Sequence, residues 1–202
     1  MPPISTAKER LTDAALQIMW ENSYGSTSVD AICERANVKK GSFYYFFKSK
    51  SALASAALEA DWEKHRKDLD RDFSPSLPPL ERFRVHYEHS YEFIKESVKK
   101  HGAVLGCPIF SLGCEISTLD EELRTTIHSI LERKLRYYES AIRDAHAEGL
   151  VDAPDPKAKA RALLAFIEGT LSQARIENNV EVLRQMYPGT LALLGAKQPV
   201  AA

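Results

Sequence analysis

Apolar residues return every three or four positions along almost the whole of this 202-residue chain, and nowhere do they alternate over a useful length. A helix repeats every 3.6 residues and a half-buried strand every two, so the pattern admits helices and gives strands no face to bury. Asn-Gly pairs, a strong hairpin signal, are also missing. The fold class that follows is all-α, with about nine helices.

The first helix is predicted from about Thr6 to Asn22, with Leu11, Ala15, Ile18 and Met19 on one face and Gly25 as its stop. Thr27 reads as the cap of the second, with Asp30 three positions on as in a capping box. Val29, Ile32, Cys33 and Ala36 form that helix's apolar face, Asn37-Val38 a turn, and Lys39 to Phe46 a third helix. A fourth runs from Lys48 to about Asp72, where Ser74-Pro75-Ser76-Leu77-Pro78-Pro79 breaks it. The fifth carries Leu80, Phe83, Tyr87, Tyr91, Ile94 and Val98 and stops at Gly102. Pro108 opens a short sixth helix, the seventh spans about Leu119 to Glu148, and Asp155-Pro156 starts an eighth that reaches about Asn178. A ninth, around Val180 to Leu194, closes the chain. The division expected is a helix-turn-helix domain over 1–50, a larger helical domain over 51–195, and a flexible tail over 196–202.

Composition narrows the function classes. With 44% hydrophobic residues the chain can fill a core, and no apolar run is long enough for a membrane span. The N-terminus lacks a signal-peptide layout, and Cys33, Cys107 and Cys114 suit a reducing compartment, so the cytoplasm is expected. No serine elbow, His-Glu-x-x-His, phosphate-binding glycine loop or paired-cysteine metal motif occurs, which argues against an enzyme; neither cofactor nor metal is expected. Net charge is only −1, yet Lys39, Lys40, Lys48 and Lys50 share a stretch without a single Asp or Glu. Phosphate attraction fades over about 8 Å, so that local stripe matters more than the total.

The third helix is therefore the candidate DNA reader. Gly41 and Ser42 keep its first turn slim enough for a major groove, and Lys39 and Lys40 flank that turn with ammonium groups. Tyr44 and Tyr45 offer flat faces to thymine methyls and hydroxyls to phosphates, whereas Phe43 and Phe47 are expected to face inward.

Gly25-Ser26-Thr27-Ser28-Val29-Asp30-Ala31-Ile32, Ala36-Asn37-Val38-Lys39-Lys40-Gly41-Ser42-Phe43-Tyr44 and Phe47-Lys48-Ser49-Lys50-Ser51-Ala52-Leu53 resemble the N-terminal signature of TetR-type repressors. The resemblance covers about the first sixty residues. It implies a cytoplasmic homodimer that binds double-stranded DNA at a near-palindromic operator and leaves when a small molecule enters the body. Carried over by position, Thr27, Ser28 and Lys50 would hold phosphate. Phe46 departs from the pattern, since many members carry histidine there. The competing reading is a helical adaptor that binds protein only.

In the body, Cys107 before Pro108 reads as a helix cap, where a helix N-terminus lowers a thiol's pKa; the plain alternative is a small apolar residue at a crowded helix start. Gly106-Cys107, an apolar run and Cys114-Glu115-Ile116-Ser117 also resemble NemR-like, electrophile-sensing members, which implies release by an electrophile or oxidant. A helical Cys107–Cys114 pair would sit about 10 Å apart, too far for a disulfide. His86 and His89, one turn apart, read as surface or pocket histidines rather than metal ligands, because no third ligand is evident. Trp62, His86, Tyr87, Tyr91 and Phe110 join Cys107 as effector or sensor candidates, with core packing as the alternative for the aromatics. Leu164, Ile167, Leu171 and Ala174 with Leu183 and Met186 form a candidate dimer interface, with packing inside one subunit as the alternative.

Overall fold

The computed structural model describes residues 6–196. Most of the tail expected over 196–202 lies outside them. Among the described residues there are nine α-helices and no strand: α1 (Ala7–Glu21), α2 (Val29–Ala36), α3 (Lys40–Phe46), α4 (Lys50–Asp72), α5 (Pro79–His101), α6 (Pro108–Ile116), α7 (Glu121–Ala147), α8 (Pro156–Glu177) and α9 (Met186–Leu194), with a 3-10 segment at Val180–Gln185. The last expected helix is thus a 3-10 turn leading into a shorter α-helix.

Local chemistry sets these ends. Thr6 and Glu9 form a capping box on α1, Ser49 Oγ accepts from Ala52 N in α4, and Asp120 Oδ1 accepts from Leu123 N in α7. That last cap moves the start of α7 past Leu119, which stands exposed. Gly102, Gly149 and Gly195 take positive φ after their helices, as does Asn178 after α8.

The chain forms two compact units. One takes in the chain up to His65 together with Cys107–Ile130; the other takes in Arg66–Gly106 and the chain from Leu131. The boundary expected at residue 50 falls at the start of α4, whereas the compact units divide within that helix, after His65, and the first also takes in α6 and the first part of α7. There Leu11, Ile32, Phe43, Leu53, Leu58, Leu112 and Leu123 are buried. The second unit buries Phe83, Tyr138, Ile142 and Leu163 completely. Phe73 meets Phe83 edge-on at 5.4 Å and lies 5.5 Å from Tyr138, while Arg82, itself buried, ties Leu77 O and Asp144 together. No helix among the described residues is long and apolar enough to cross a membrane.

Candidate functional site

Ser28, not Thr27, caps α2: its Oγ accepts from Ala31 N at 3.1 Å. Asn37 closes that helix in the left-handed region, with φ 51°, and Val38 N returns to Cys33 O. Asn tolerates this conformation at little cost, so the turn is made by the residue type itself. Lys39 is extended and α3 begins at once. The two short helices with this turn are a helix-turn-helix.

The side chains of α3 divide sharply. Phe43 and Phe47 are buried and anchor it, while Tyr44 is 59% exposed and Tyr45 82%. Phe46, 38% exposed, meets the Tyr45 ring edge-on at 4.9 Å and so props it from the side. Lys39, Lys48 and Gly41 are exposed, and Lys40 pairs in solvent with Asp30 at 2.7 Å. A Cβ on Gly41 would meet nothing. Its φ is also unremarkable, so nothing within the chain calls for a glycine in a position that costs a helix about 1 kcal/mol relative to alanine.

Two residues expected at phosphate make contacts inside the chain. Thr27 is buried and its hydroxyl already donates to Ser23 O at 2.6 Å, so it builds the turn before α2. Lys50 Nζ donates to Tyr24 O at 2.8 Å and Thr27 O at 2.9 Å, 4.0 Å from the centre of the Tyr24 ring. Burial lowers its pKa, with Glu115 pulling the other way. Both residues therefore hold the Tyr24–Thr27 turn from within. The amides of Tyr24 and Gly25 in that turn donate to Glu115, a residue to which sequence reading assigned nothing, because its partners lie ninety positions away.

The second unit gathers some of the body candidates. Asp72, buried at the end of α4, accepts from His89 Nδ1 at 2.9 Å, His86 Nδ1 at 3.4 Å and Arg71 Nε at 3.0 Å. Burial alone would raise its carboxyl; the hydrogen bonds from His86, His89 and Arg71 outweigh that and hold it below the ordinary carboxylate value. This is the carboxylate partner that the sequence did not reveal for the two histidines. Burial pushes His86 below its usual value, against the pull of Asp72. Phe73, Tyr87 and Tyr138 surround its ring at 5.2, 5.8 and 6.2 Å, and Tyr87 Oη bonds Thr190 Oγ1 at 2.9 Å. Lys134 Nζ stands 3.3 Å from Glu168 Oε1 and 5.9 Å from the Tyr138 ring centre; the other Glu168 oxygen is buried without a hydrogen bond. Among the described residues, no group of three His, Cys, Asp or Glu could hold a metal.

Other candidates fall elsewhere. Tyr91 is partly exposed, bonding Glu181 and carrying Arg184 on its ring, so it does not line the buried cluster. Trp62 is buried and Phe110 half-buried in the first unit. Cys107 is the half-buried N-cap residue of α6, and all three cysteines are thiols. The six expected dimer residues Leu164, Ile167, Leu171, Ala174, Leu183 and Met186 are all buried within the single chain. Periodicity found the apolar face of α8 but could not tell an internal core from an external partner. The face left exposed holds Ala162, Ala165, Gly169, Gln173 and Ile176.

Residues 11–57 match the model of the bacterial regulatory proteins, tetR family, and residues 79–188 that of the tetracyclin repressor-like C-terminal domain. The transcriptional regulator AcuR of Cereibacter sphaeroides is 34% identical, over 87% of this chain and 80% of that protein. The transcriptional repressor NemR of Escherichia coli strain K12 is 24% identical over 87% of each. A crystal structure of a regulatory protein TetR from Rhodobacter sphaeroides superposes with TM-score 0.81 and 32% identity, covering 92% of this chain and 97% of that one.

Proposed function

Because the chain belongs to the TetR family of bacterial regulatory proteins and is a DNA-binding transcriptional regulator, we propose that it acts in the cytoplasm as a homodimeric repressor released from a palindromic operator by a small molecule. The observation that carries the DNA face is the exposed Tyr44–Tyr45 pair beside Gly41 on a helix locked down by Phe43 and Phe47. Bulky aromatics left in water on a slim, basic helix fit insertion into a groove about 12 Å wide. Ser28, Lys39, Lys40 and Ser42 are the supporting polar contacts. Replacing Tyr44 and Tyr45 together by alanine should leave helicity and thermal stability intact and weaken binding to a selected operator about a hundredfold, or ~3 kcal/mol. Wild-type affinity in a titrated gel shift would rule this face out.

The partner surface we assign is the exposed face of α8. Ala162, Ala165, Gly169, Gln173 and Ile176 follow at spacings of three and four, and Ile176 is 85% exposed. Small side chains at that spacing let a second helix approach closely. Dimerisation places two α3 helices about one DNA turn apart, ~34–36 Å, and release follows when a ligand favours another spacing. A hundredfold change in occupancy asks for about 3 kcal/mol of differential ligand affinity. The aromatic cluster around His86 and Tyr87, with the unsatisfied Glu168 oxygen, supports an effector site in the second unit.

A second reading has an electrophile or oxidant act at Cys107, supported by its place at the N-cap of α6 ahead of Pro108. Cys107→Ser should then abolish release by N-ethylmaleimide while leaving operator affinity unchanged; full release of that variant would eliminate Cys107 as the sensor.

A further inference from the structure

The turn between α1 and α2 is gripped on both sides of its backbone, and the grip comes from outside the helix-turn-helix. Tyr24 N donates to Glu115 Oε2 at 2.9 Å and Gly25 N to Glu115 Oε1 at 2.7 Å, so one carboxylate on α6 takes two successive amides. On the carbonyl side, Lys50 Nζ takes Tyr24 O and Thr27 O. Anion, turn and cation thus align with the peptide dipoles of residues 24–27. Bonds from backbone amides to an ionised carboxylate are stronger than neutral ones. Gly25 also fits the contact sterically, since a Cβ there would sit 3.1 Å from Glu115 Oε1. Glu115 is not needed to cap its own helix, and its side chain is otherwise exposed.

We propose that Glu115 is a positioning residue for DNA binding: through it, α6 fixes the turn that aims α2 and α3. Gly25 lies three residues before Ser28, the cap of α2, so the clamp sets the entry of the whole helix-turn-helix. A shift of α6 by about 1 Å would carry both bonds past hydrogen-bond range. The turn would then be held on its carbonyl side alone, and the two recognition helices of a dimer would lose their common aim. This rests on the reading of the chain as an operator-binding regulator.

The experiment uses full-length protein, amide hydrogen exchange at Tyr24 and Gly25, and titration against both a duplex selected from random DNA and a scrambled duplex. Glu115→Gln and Glu115→Ala should speed exchange of those two amides and lower the specific-to-non-specific affinity ratio about tenfold, with non-specific binding within about twofold of wild type. A merely structural role would change the melting temperature without changing that ratio. Should the Glu115 variants fail to fold, Gly25→Ala, which crowds the carboxylate from the other side, should move both readouts the same way by less. An unchanged ratio or unchanged exchange in folded variants overturns the clamp. If the wild type itself selects no sequence, the regulator reading falls first and the clamp with it.

Discussion

α3 and α8 break the rule for surface helices in opposite directions. In α3 the largest side chains, Tyr44 and Tyr45, stand in solvent; in α8 every large apolar residue except Ile176 and the half-buried Phe166 turns inward, leaving Ala162, Ala165 and Gly169 outside. Both helices carry an interior glycine with no reason inside the chain, for a Cβ on Gly41 or on Gly169 would meet nothing. Gly189 in α9 is the contrast: a Cβ there would run into the Phe166 ring, so the fold itself demands it. A glycine that the chain's own packing does not need is read here as leaving room for something outside the chain. On α3 the approaching surface is read as a groove that rewards reach, and on α8 as a second helix that rewards the lack of bulk.

Placing Glu at Ala165 tests the α8 side most severely. It should raise the dimer dissociation constant more than a hundredfold, since a charge buried in an apolar contact costs several kcal/mol, and sedimentation should show monomers that remain helical. A stable dimer would move the interface elsewhere. Gly41→Ala is gentler and has two signs at once: up to about 1 kcal/mol gained in stability from helix propensity and about tenfold lost in operator affinity. The matching Gly169→Ala should weaken dimerisation instead. Equal operator affinity for Gly41→Ala and wild type would dissolve the comparison.

The smallest effect is one of pH. His86 is held below its ordinary value by burial, so the unfolded chain takes up a proton first as pH falls through about 6.5, and the native state loses stability from there down to the lowered native value. Asp72, held low by its hydrogen bonds, adds a second loss in the same direction below about 3.8, the unfolded carboxyl value. The melting temperature should therefore drop by a few degrees between pH 7 and 5, and His86→Gln, which keeps a donor for Asp72, should flatten that first decline. An identical pH profile in the variant would assign the change to other groups.

How much of this was legible beforehand follows from where each contact lies along the chain. The glycine and asparagine stops, the Asp155-Pro156 start and the buried Phe43–Phe47 pair are local, so periodicity and residue chemistry reveal them. The intrachain contacts of Thr27 and Lys50 were not legible, for the opposite reason. Exposure is decided by what packs above a residue, and here Ser23, Tyr24 and Thr27 itself claim those donors.

By itself, the sequence determined the helical class, the helix-turn-helix and its aromatic, glycine-bearing second helix, because each depends on spacings of a few residues. Only the tertiary structure decided that Leu164 and its neighbours are buried in the core of their own chain, that Asp72 joins His86 and His89, and that Glu115 grips a turn ninety residues away. An apolar stripe states that something must cover it, and a carboxylate that something must neutralise or solvate it. Which element does so is settled by packing in three dimensions, where distance along the chain no longer counts.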